Sequence, residues 1–282
     1  MLPTVLITGC TQGGIGYSLA HEFANRNYHV FACARRIEAM GDLESLPNVT
    51  LLKLDLADRT SILDLHTTVH TTTNGKLDIL YHNAGYRVMA MALDTTEEEC
   101  FQTFRTNLFS IIEMNGIFAD MLIASKGKIV FTGSISYCMP QPSQMIYNAS
   151  KAALDMYSQI LRFEMKPLGV SIVHVITAGV KTHMTVQKMP PPPSGSRYQY
   201  LEKSINDAWE SYESAGANSA DYAKTVVSQI VRRHPPDTIW SGYGATIVRA
   251  IEFFGFRWLY SKILLPKYGL DKPAPTTIQV TQ

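Results

Sequence analysis

Tyr147-Asn148-Ala149-Ser150-Lys151 places a phenol and an ammonium four residues apart, the spacing that sets two side chains on one face of a helix. A free tyrosine, with a pKa of about 10, is a sluggish base at neutral pH, and a nearby ammonium favours its phenolate. The pair suits proton transfer to or from an oxygen, although two surface residues can share the same spacing. Ser134 adds weight: it stands thirteen residues before Tyr147, at the end of an apolar run, where its hydroxyl can meet the phenol over a substrate carbonyl.

A second constellation opens the chain. Thr8-Gly9-Cys10-Thr11-Gln12-Gly13-Gly14-Ile15-Gly16 follows an apolar run and leads into a helical stretch at 17–25. Glycines at such a strand-to-helix turn let the backbone approach a pyrophosphate, whose charge is stabilised by free N–H groups at the helix start. At the end of the next run, Cys33-Ala34-Arg35-Arg36 offers no carboxylate for a ribose 2′-hydroxyl and two guanidiniums instead. Arginine holds a phosphate through parallel charge-assisted bonds, so the pair favours NADP(H) over NAD(H), unless both are simply solvated surface charges. Asp55 and Asn83-Ala84-Gly85 fall at further strand ends, where open α/β sheets bind ligands.

The elements that must position these residues are legible as short β-branched runs at 5–8, 29–34, 49–54, 77–81, 128–132 and 170–176, separated by stretches of helical period. This alternation predicts βαβ units: an α/β, Rossmann-type doubly wound parallel sheet with helices on both faces. Pro190-Pro191-Pro192-Pro193-Ser194-Gly195 interrupts any regular element and reads as part of a lid spanning about 178–215. Helices are expected near 201–214 and 219–233 and a last strand near 238–242, which brings the sheet to about seven strands. A single domain accounts for the chain, with a Rossmann-type body at 1–245 and a C-terminal amphipathic extension and tail at 246–282.

Composition narrows the class. With 25 Lys+Arg against 24 Asp+Glu in 282 residues, the formal charge of +1 lacks the electrostatic pull of a nucleic-acid binder. A content of 46 % hydrophobic residues and only 17 % charged ones is that of a chain able to bury a large core. Cys10, Cys33, Cys100 and Cys138 lie far apart, without metal-ligand spacing, and read as reduced thiols; no metal is expected. The start of the chain lacks the pattern of a secretory signal, no run of about 18 uncharged apolar residues suggests a spanning helix, and a cytoplasmic location is the expectation.

Over about residues 4–185 these features resemble, in order, the short-chain dehydrogenase/reductase family: Thr8-Gly9 with the glycine turn, Asp55-Leu56, Asn83-Ala84-Gly85, Asn107, Ser134, and Tyr147 with Lys151. The resemblance implies that Tyr147 is the general acid/base and Ser134 orients the carbonyl. Lys151 lowers the tyrosine pKa and holds the nicotinamide ribose, Asn107 supports a proton-relay water, and the cofactor supplies the hydride. It implies cofactor contacts at Thr8, Gly9, Gly13, Gly14, Ile15, Gly16, Arg35, Arg36, Asp55, Leu56, Asn83, Ala84, Gly85, Tyr147, Lys151, Val180 and Thr182, and a homodimer or homotetramer. Two departures stand out. The glycine turn is one residue longer than usual, leaving open which of Gly13 and Gly14 faces the pyrophosphate, and the usual Pro-Gly after strand six reads Thr177-Ala178.

Met89, Met91, Met139, Met145, Met184 and Met189 fall in loops expected around the nicotinamide, either as a deformable apolar pocket or as fillers of core gaps. Lys181, His183, Lys188 and Arg197 make the lid cationic, either for an anionic substrate group, for the cofactor or for solvent. Within the family, 13–16, 176–180 and the apolar tail are similar to fungal NADPH-dependent 1-acyldihydroxyacetone-phosphate reductases. That similarity implies reduction of a hydrophobic ketone, with a ketone reductase or alcohol dehydrogenase of a fungal secondary-metabolite pathway as the alternative. A non-redox cyclase or cofactor-binding regulator is the contrasting class. Residues 247–268 mix aromatic and basic side chains, suited either to a membrane interface on the endoplasmic reticulum or a lipid droplet, or to packing on the body.

Overall fold

The computed structural model describes residues 2–183, 189–213 and 215–275. Met184 and Lys188 of the expected lid, and the end of the C-terminal tail, lie outside the described residues. Seven short strands form one parallel sheet in the order β3-β2-β1-β4-β5-β6-β7: β1 Thr4–Thr8, β2 His29–Ala34, β3 Val49–Lys53, β4 Ile79–His82, β5 Lys128–Thr132, β6 Ser171–Thr177 and β7 Thr238–Ser241. The apolar residues of the inner strands are buried on both faces, as a covered parallel sheet requires, and those of the edge strand β3 are half-buried. The strand order reverses between β1 and β4, so the crevice at their C-terminal ends is the place where such a sheet takes a ligand.

Helices α1 Ile15–Asn25 and α7 Ser219–Ile230 cover one face; α2 Arg59–Thr73, α4 Ser110–Ser125 and α5 Met145–Met165 cover the other. Leu19, Phe23, Val226 and Val227 pack with Val5, Val30 and Val173 on the first face. Ile62, Val69, Phe118 and Leu154 pack with Leu6, Phe31 and Phe131 on the second. β4 begins two residues later than the apolar run suggests, because the Leu77 N–H is taken by the Met121 carbonyl at 3.2 Å instead of a neighbouring strand.

Helix α3 Glu97–Phe104 runs into α4 through a wider π-type turn at Arg105–Phe109, the kind of irregularity that often marks functional sites. The continuous stretch Glu97–Ser125 is long and apolar enough, by length and composition, to cross a membrane. Here Ile111, Met114, Phe118, Met121 and Leu122 bury its inner face against the sheet.

After β6 come α6 Glu202–Glu213 and α7, and after β7 come α8 Ala245–Phe254 and α9 Trp258–Lys267. Ala245, Val248 and Tyr260 of the last two helices pack with Ile135 and with the partly buried Tyr137 and Met139, in the loop that follows β5. The extension therefore forms a wall behind the segment that carries Ser134.

Candidate active site

Thr8, at the end of β1, accepts through its hydroxyl from the N–H groups of Asn83 and Ala84, both at 3.0 Å. Asn83 returns two bonds from its amide to the carbonyls of Thr8 and Gly9, at 3.0 and 3.2 Å, and accepts from the Thr132 hydroxyl at 3.3 Å. The ends of β1, β4 and β5 are thus tied into one polar crest, and along it lies a cavity of about 580 Å³.

At one end of that cavity are Thr8, Gly9, Thr11, Gly14 and Ile15, with Arg35, Asp55 and Leu56. Gly14 caps α1, so the first N–H groups of the helix open towards the cavity. Gly13 serves differently, since its φ of 78° is left-handed and a Cβ there would stand 2.3 Å from the His183 imidazole. Gly16 faces inward, where a Cβ would lie 2.4 Å from the Gly9 carbonyl oxygen. The long turn therefore presents Gly14, and Gly13 and Gly16 serve the turn and the close packing. Arg35 lines the cavity whereas Arg36 does not; in extended backbone successive side chains point to opposite sides, and Arg36 is extended. Asp55 accepts from the Ala57 N–H at 2.9 Å, a local turn that holds it at the rim. Asn83, Ala84, Gly85, Val180 and Thr182 also line the cavity.

The other end holds Ser134, Tyr147 and Lys151. Ser134 accepts from the Ser136 N–H at 3.1 Å and shares the cavity wall with Tyr147. Helix α5 begins two residues before Tyr147, so the tyrosine sits in its first turn and Lys151 one turn further in. The Lys151 ammonium, 4 % exposed, donates to the Thr132 carbonyl at 2.9 Å and lies 5.7 Å from the centroid of the Tyr147 ring. Burial pushes the lysine down to about 8. Burial also raises the Tyr147 phenol above its ordinary value, opposed by the charge of Arg87 and the Ser134 hydrogen bond. Arg87 draws the phenol towards ionisation, and the Lys151 ammonium is the second cation near the ring.

Asn107 lies in the π-type turn, fully buried, and does not line the cavity. Its side chain accepts from the Tyr86 N–H and donates to the Tyr86 carbonyl, both at 2.8 Å, and donates to Ser150 at 2.9 Å. Ser150 in turn donates to the Tyr147 carbonyl at 2.7 Å. These bonds commit the side chain to fixing the loop after β4 against α5, next to Tyr147.

Thr177, where the family pattern has proline, turns its hydroxyl into the core to meet the Tyr222 hydroxyl at 2.6 Å, and Ala178 lines the cavity. The methionine reading needs a correction. Met89, Met91 and Met189 cluster with Leu201, Ile205, Trp209 and Tyr268 behind the wall, Met139 packs near Tyr260, and Met145 is exposed. No methionine among the described residues lines the cavity, and core filling, the other of the two expected roles, is that of Met89, Met91, Met139 and Met189. Of the lid cations, Lys181 and Arg197 are exposed and His183 stands over the glycine turn. Arg87 and Gln144, which do line the cavity, carried no motif that would mark them in the sequence.

Known proteins share this arrangement. Residues 3–192 match the family model described as short chain dehydrogenase. The chain is 36 % identical over 276 residues, 95 % of its length and 91 % of the relative, to the NADPH-dependent 1-acyldihydroxyacetone phosphate reductase of Saccharomyces cerevisiae. It is 39 % identical over 269 residues, 94 % of its length and 98 % of the relative, to the short-chain dehydrogenase PC-15 of Penicillium crustosum. Its fold is also that of a short chain dehydrogenase from Burkholderia cenocepacia J2315 solved in complex with NADP, at a TM-score of 0.72 and 19 % identity, covering 93 % of this chain and 97 % of that one.

The depressed lysine gives a pH signature of stability. Below pH 8 Lys151 is charged in both the folded and the unfolded chain and imposes its full desolvation cost; between about 8 and 10.5 only the unfolded chain keeps the proton, so folding gains stability as pH rises. Relative to Lys151→Met, the wild type is expected to gain about 3 kcal/mol across that window in urea denaturation. A difference that stays flat with pH would mean the ammonium is not held out of water.

Proposed function

The chain belongs to the short-chain dehydrogenase/reductase family, and we propose that within this family of oxidoreductases it is an NADPH-dependent carbonyl reductase acting on the ketone of a hydrophobic substrate, with 1-acyldihydroxyacetone phosphate as the leading candidate. The observation that carries this reading is the continuity of one cavity from Arg35 and the start of α1 to Ser134, Tyr147 and Lys151. The donor set fits NADP(H): a guanidinium with no acid at the end of β2, helix N–H groups, and the Asn83 crest. The name of the yeast relative supports both the cofactor and the lipid phosphate.

Arg35, the first turn of α1, Asp55, Asn83 and Lys151 would hold NADPH, which supplies a hydride when bound. The rest of the work falls to the protein's side chains. Ser134 donates to the substrate oxygen and fixes its direction, so that charge developing there meets a preorganised donor. Tyr147, held as a neutral phenol, gives its proton to that oxygen as the carbonyl becomes an alcohol. Below about pH 8 the Lys151 ammonium stays charged beside the ring and favours the phenolate left behind.

Helices α8 and α9 support a peripheral membrane contact through residues 247–268. Their inner face is buried, while Phe253, Phe254, Phe256, Trp258 and Ile263 are exposed. Phe253 meets Phe254 edge-to-face with centroids 5.1 Å apart, Phe254 stacks on Phe256 at 5.9 Å, and the Lys262 ammonium lies 4.8 Å from the Trp258 ring. Glu252 accepts from Arg257 and Tyr260 and neutralises that arginine, so the positive charge of the rim rests on Arg249, Lys262 and Lys267. Such a face suits the anionic surface of the endoplasmic reticulum or a lipid droplet, approached from the cytoplasm. A homodimer or homotetramer is supported by exposed apolar residues Phe109, Ile112, Ile160 and Phe163 on and beside α4 and α5.

Three outcomes test these readings. Tyr147→Phe should lower NADPH-driven reduction of 1-acyldihydroxyacetone phosphate or of a bulky uncharged ketone by at least about 100-fold, the scale of a lost general acid; unchanged turnover would favour a non-redox use of the fold. In fluorescence titrations Arg35→Ala is expected to weaken NADPH about 10- to 100-fold while NADH binding changes little, and equal losses for both would overturn the cofactor reading. In flotation the protein should rise with vesicles rich in anionic lipid and Trp258→Glu should remain below, whereas a wild type that never floats would remove the membrane contact.

A further inference from the structure

Gln144 is a polar side chain of the cavity wall that no step of the reaction uses. It immediately precedes α5 and stands three residues before Tyr147, so about one helical turn separates the two, and both line the cavity with Ser134. The residue is 2 % exposed, and its side-chain nitrogen Nε2 is buried without a hydrogen-bond partner. Although it occupies the cap position of α5, its side chain forms no bond to the helix start.

A buried amide donor without an acceptor destabilises a fold, and native structures keep few of them. The backbone that carries this one is unfavourable as well. Ser143, the residue before it, is held at a φ of 62°, the left-handed region that a residue with a side chain seldom adopts. The Ser143 carbonyl accepts from the Ala90 N–H at 3.0 Å, and Ala90 and Gln144 form a β-bridge, so the turn is tied to the loop after β4. A strained residue, pinned from the facing loop, thus places an unpaired carboxamide donor in the wall beside the proton donor.

We propose that Gln144 determines specificity by donating to an oxygen on the carbon next to the reacting carbonyl, so that the ketone reduced here is α-oxygenated, with a hydroxyl or an ester oxygen at that carbon. This rests on the carbonyl-reductase reading, for which it names the substrate class. The spacing sets the reach: side chains three residues apart on a helix have Cβ atoms about 5–6 Å apart, so with Tyr147 on the carbonyl oxygen Gln144 meets an acceptor only a few bonds away. A hydrocarbon ketone leaves the donor unpaired, whereas an α-oxygen satisfies it. A buried polar group left unpaired discriminates between ligands more strongly than a change in apolar contact does.

The test uses a long-chain methyl ketone, the same ketone with a hydroxyl on its terminal methyl carbon, and the acetate ester of that hydroxyl. Binding of each to the NADP⁺-loaded wild type, Gln144→Met and Gln144→Glu is measured by calorimetry, beside kcat/KM with NADPH. The wild type should favour an oxygenated ketone over the plain one by about 10- to 100-fold, the winning arm identifying hydroxyl or ester. Gln144→Met, which keeps the length without the donor, should reduce that preference to about threefold or less. Gln144→Glu should disfavour the ester relative to the hydroxyl, because only the hydroxyl has a proton to give a carboxylate. In the ligand-free protein Gln144→Met should raise the urea midpoint, since it removes an unpaired donor.

A wild type indifferent to the α-oxygen, or a Met variant that keeps the preference, overturns the contact. A Met variant that is less stable and loses all three ketones equally makes Gln144 a structural residue and overturns it too. If Gln144→Met fails to fold, a Glu variant with the wild-type ratio of hydroxyl to ester is the contradicting result. Binding of an oxygenated ketone that depends on Gln144 without NADPH consumption would reject the reductase and keep the contact. Equal turnover of all three ketones would do the reverse.

Discussion

Lys151 keeps its ammonium on the Thr132 carbonyl, almost wholly out of water, one helical turn from a phenol. A charge in that position is tolerated only where the surroundings are fixed, because a small retreat of the carbonyl would leave the ammonium unpaired. The crest provides the fixity. Thr132 sits at the end of β5 and reaches Asn83, which is bonded to β1, so the partner of the lysine is locked by three strands. The reacting groups are ordered because the sheet is.

A second buried cation lines the same cavity. Arg87 hangs from a loop that Asn107 clamps, and Asn107 is able to reach it because the π-type turn swings its side chain inward between α3 and α4. The same asparagine reaches Ser150 and, through it, the backbone of Tyr147. One irregular turn thus couples the substrate-side cation to the helix that carries the proton donor. The C-terminal helices complete the arrangement from behind, packing on the loop after Ser134 while leaving an aromatic face outward.

How much of this is legible in the sequence depends on the distance over which each feature is decided. The seven strands are local: runs such as TVLIT and SIVHVIT have the composition of buried parallel strands, and the structure puts them where the runs lie. Ser134, Tyr147 and Lys151 are readable because a fixed i, i+4 relation and a strand end place them. The roles of Gly13 and Gly14 are not, since they turn on a backbone angle and on His183, which arrives from the lid. Arg87 is the clearest case. Between Tyr86 and Val88 it resembles any surface arginine, and only the packing of α6 brings Trp209 beneath it and turns it into a cavity wall. The methionines mislead in the opposite direction, because adaptable side chains in the right loops can lie one layer behind the surface that matters.

The central claim is that Tyr147 is a neutral phenol, held as a proton donor in a cavity it shares with two cations kept from water. It is tested most directly by titrating the ligand-free protein and recording phenolate absorbance, with Tyr147→Phe subtracted to isolate the one ring. Burial outweighs the pull of Arg87 and Ser134, so the Tyr147 phenolate should appear at higher pH than that of a free tyrosine. A phenolate from this residue at neutral pH would contradict the account, because the group would then be poised to accept a proton before any substrate arrives.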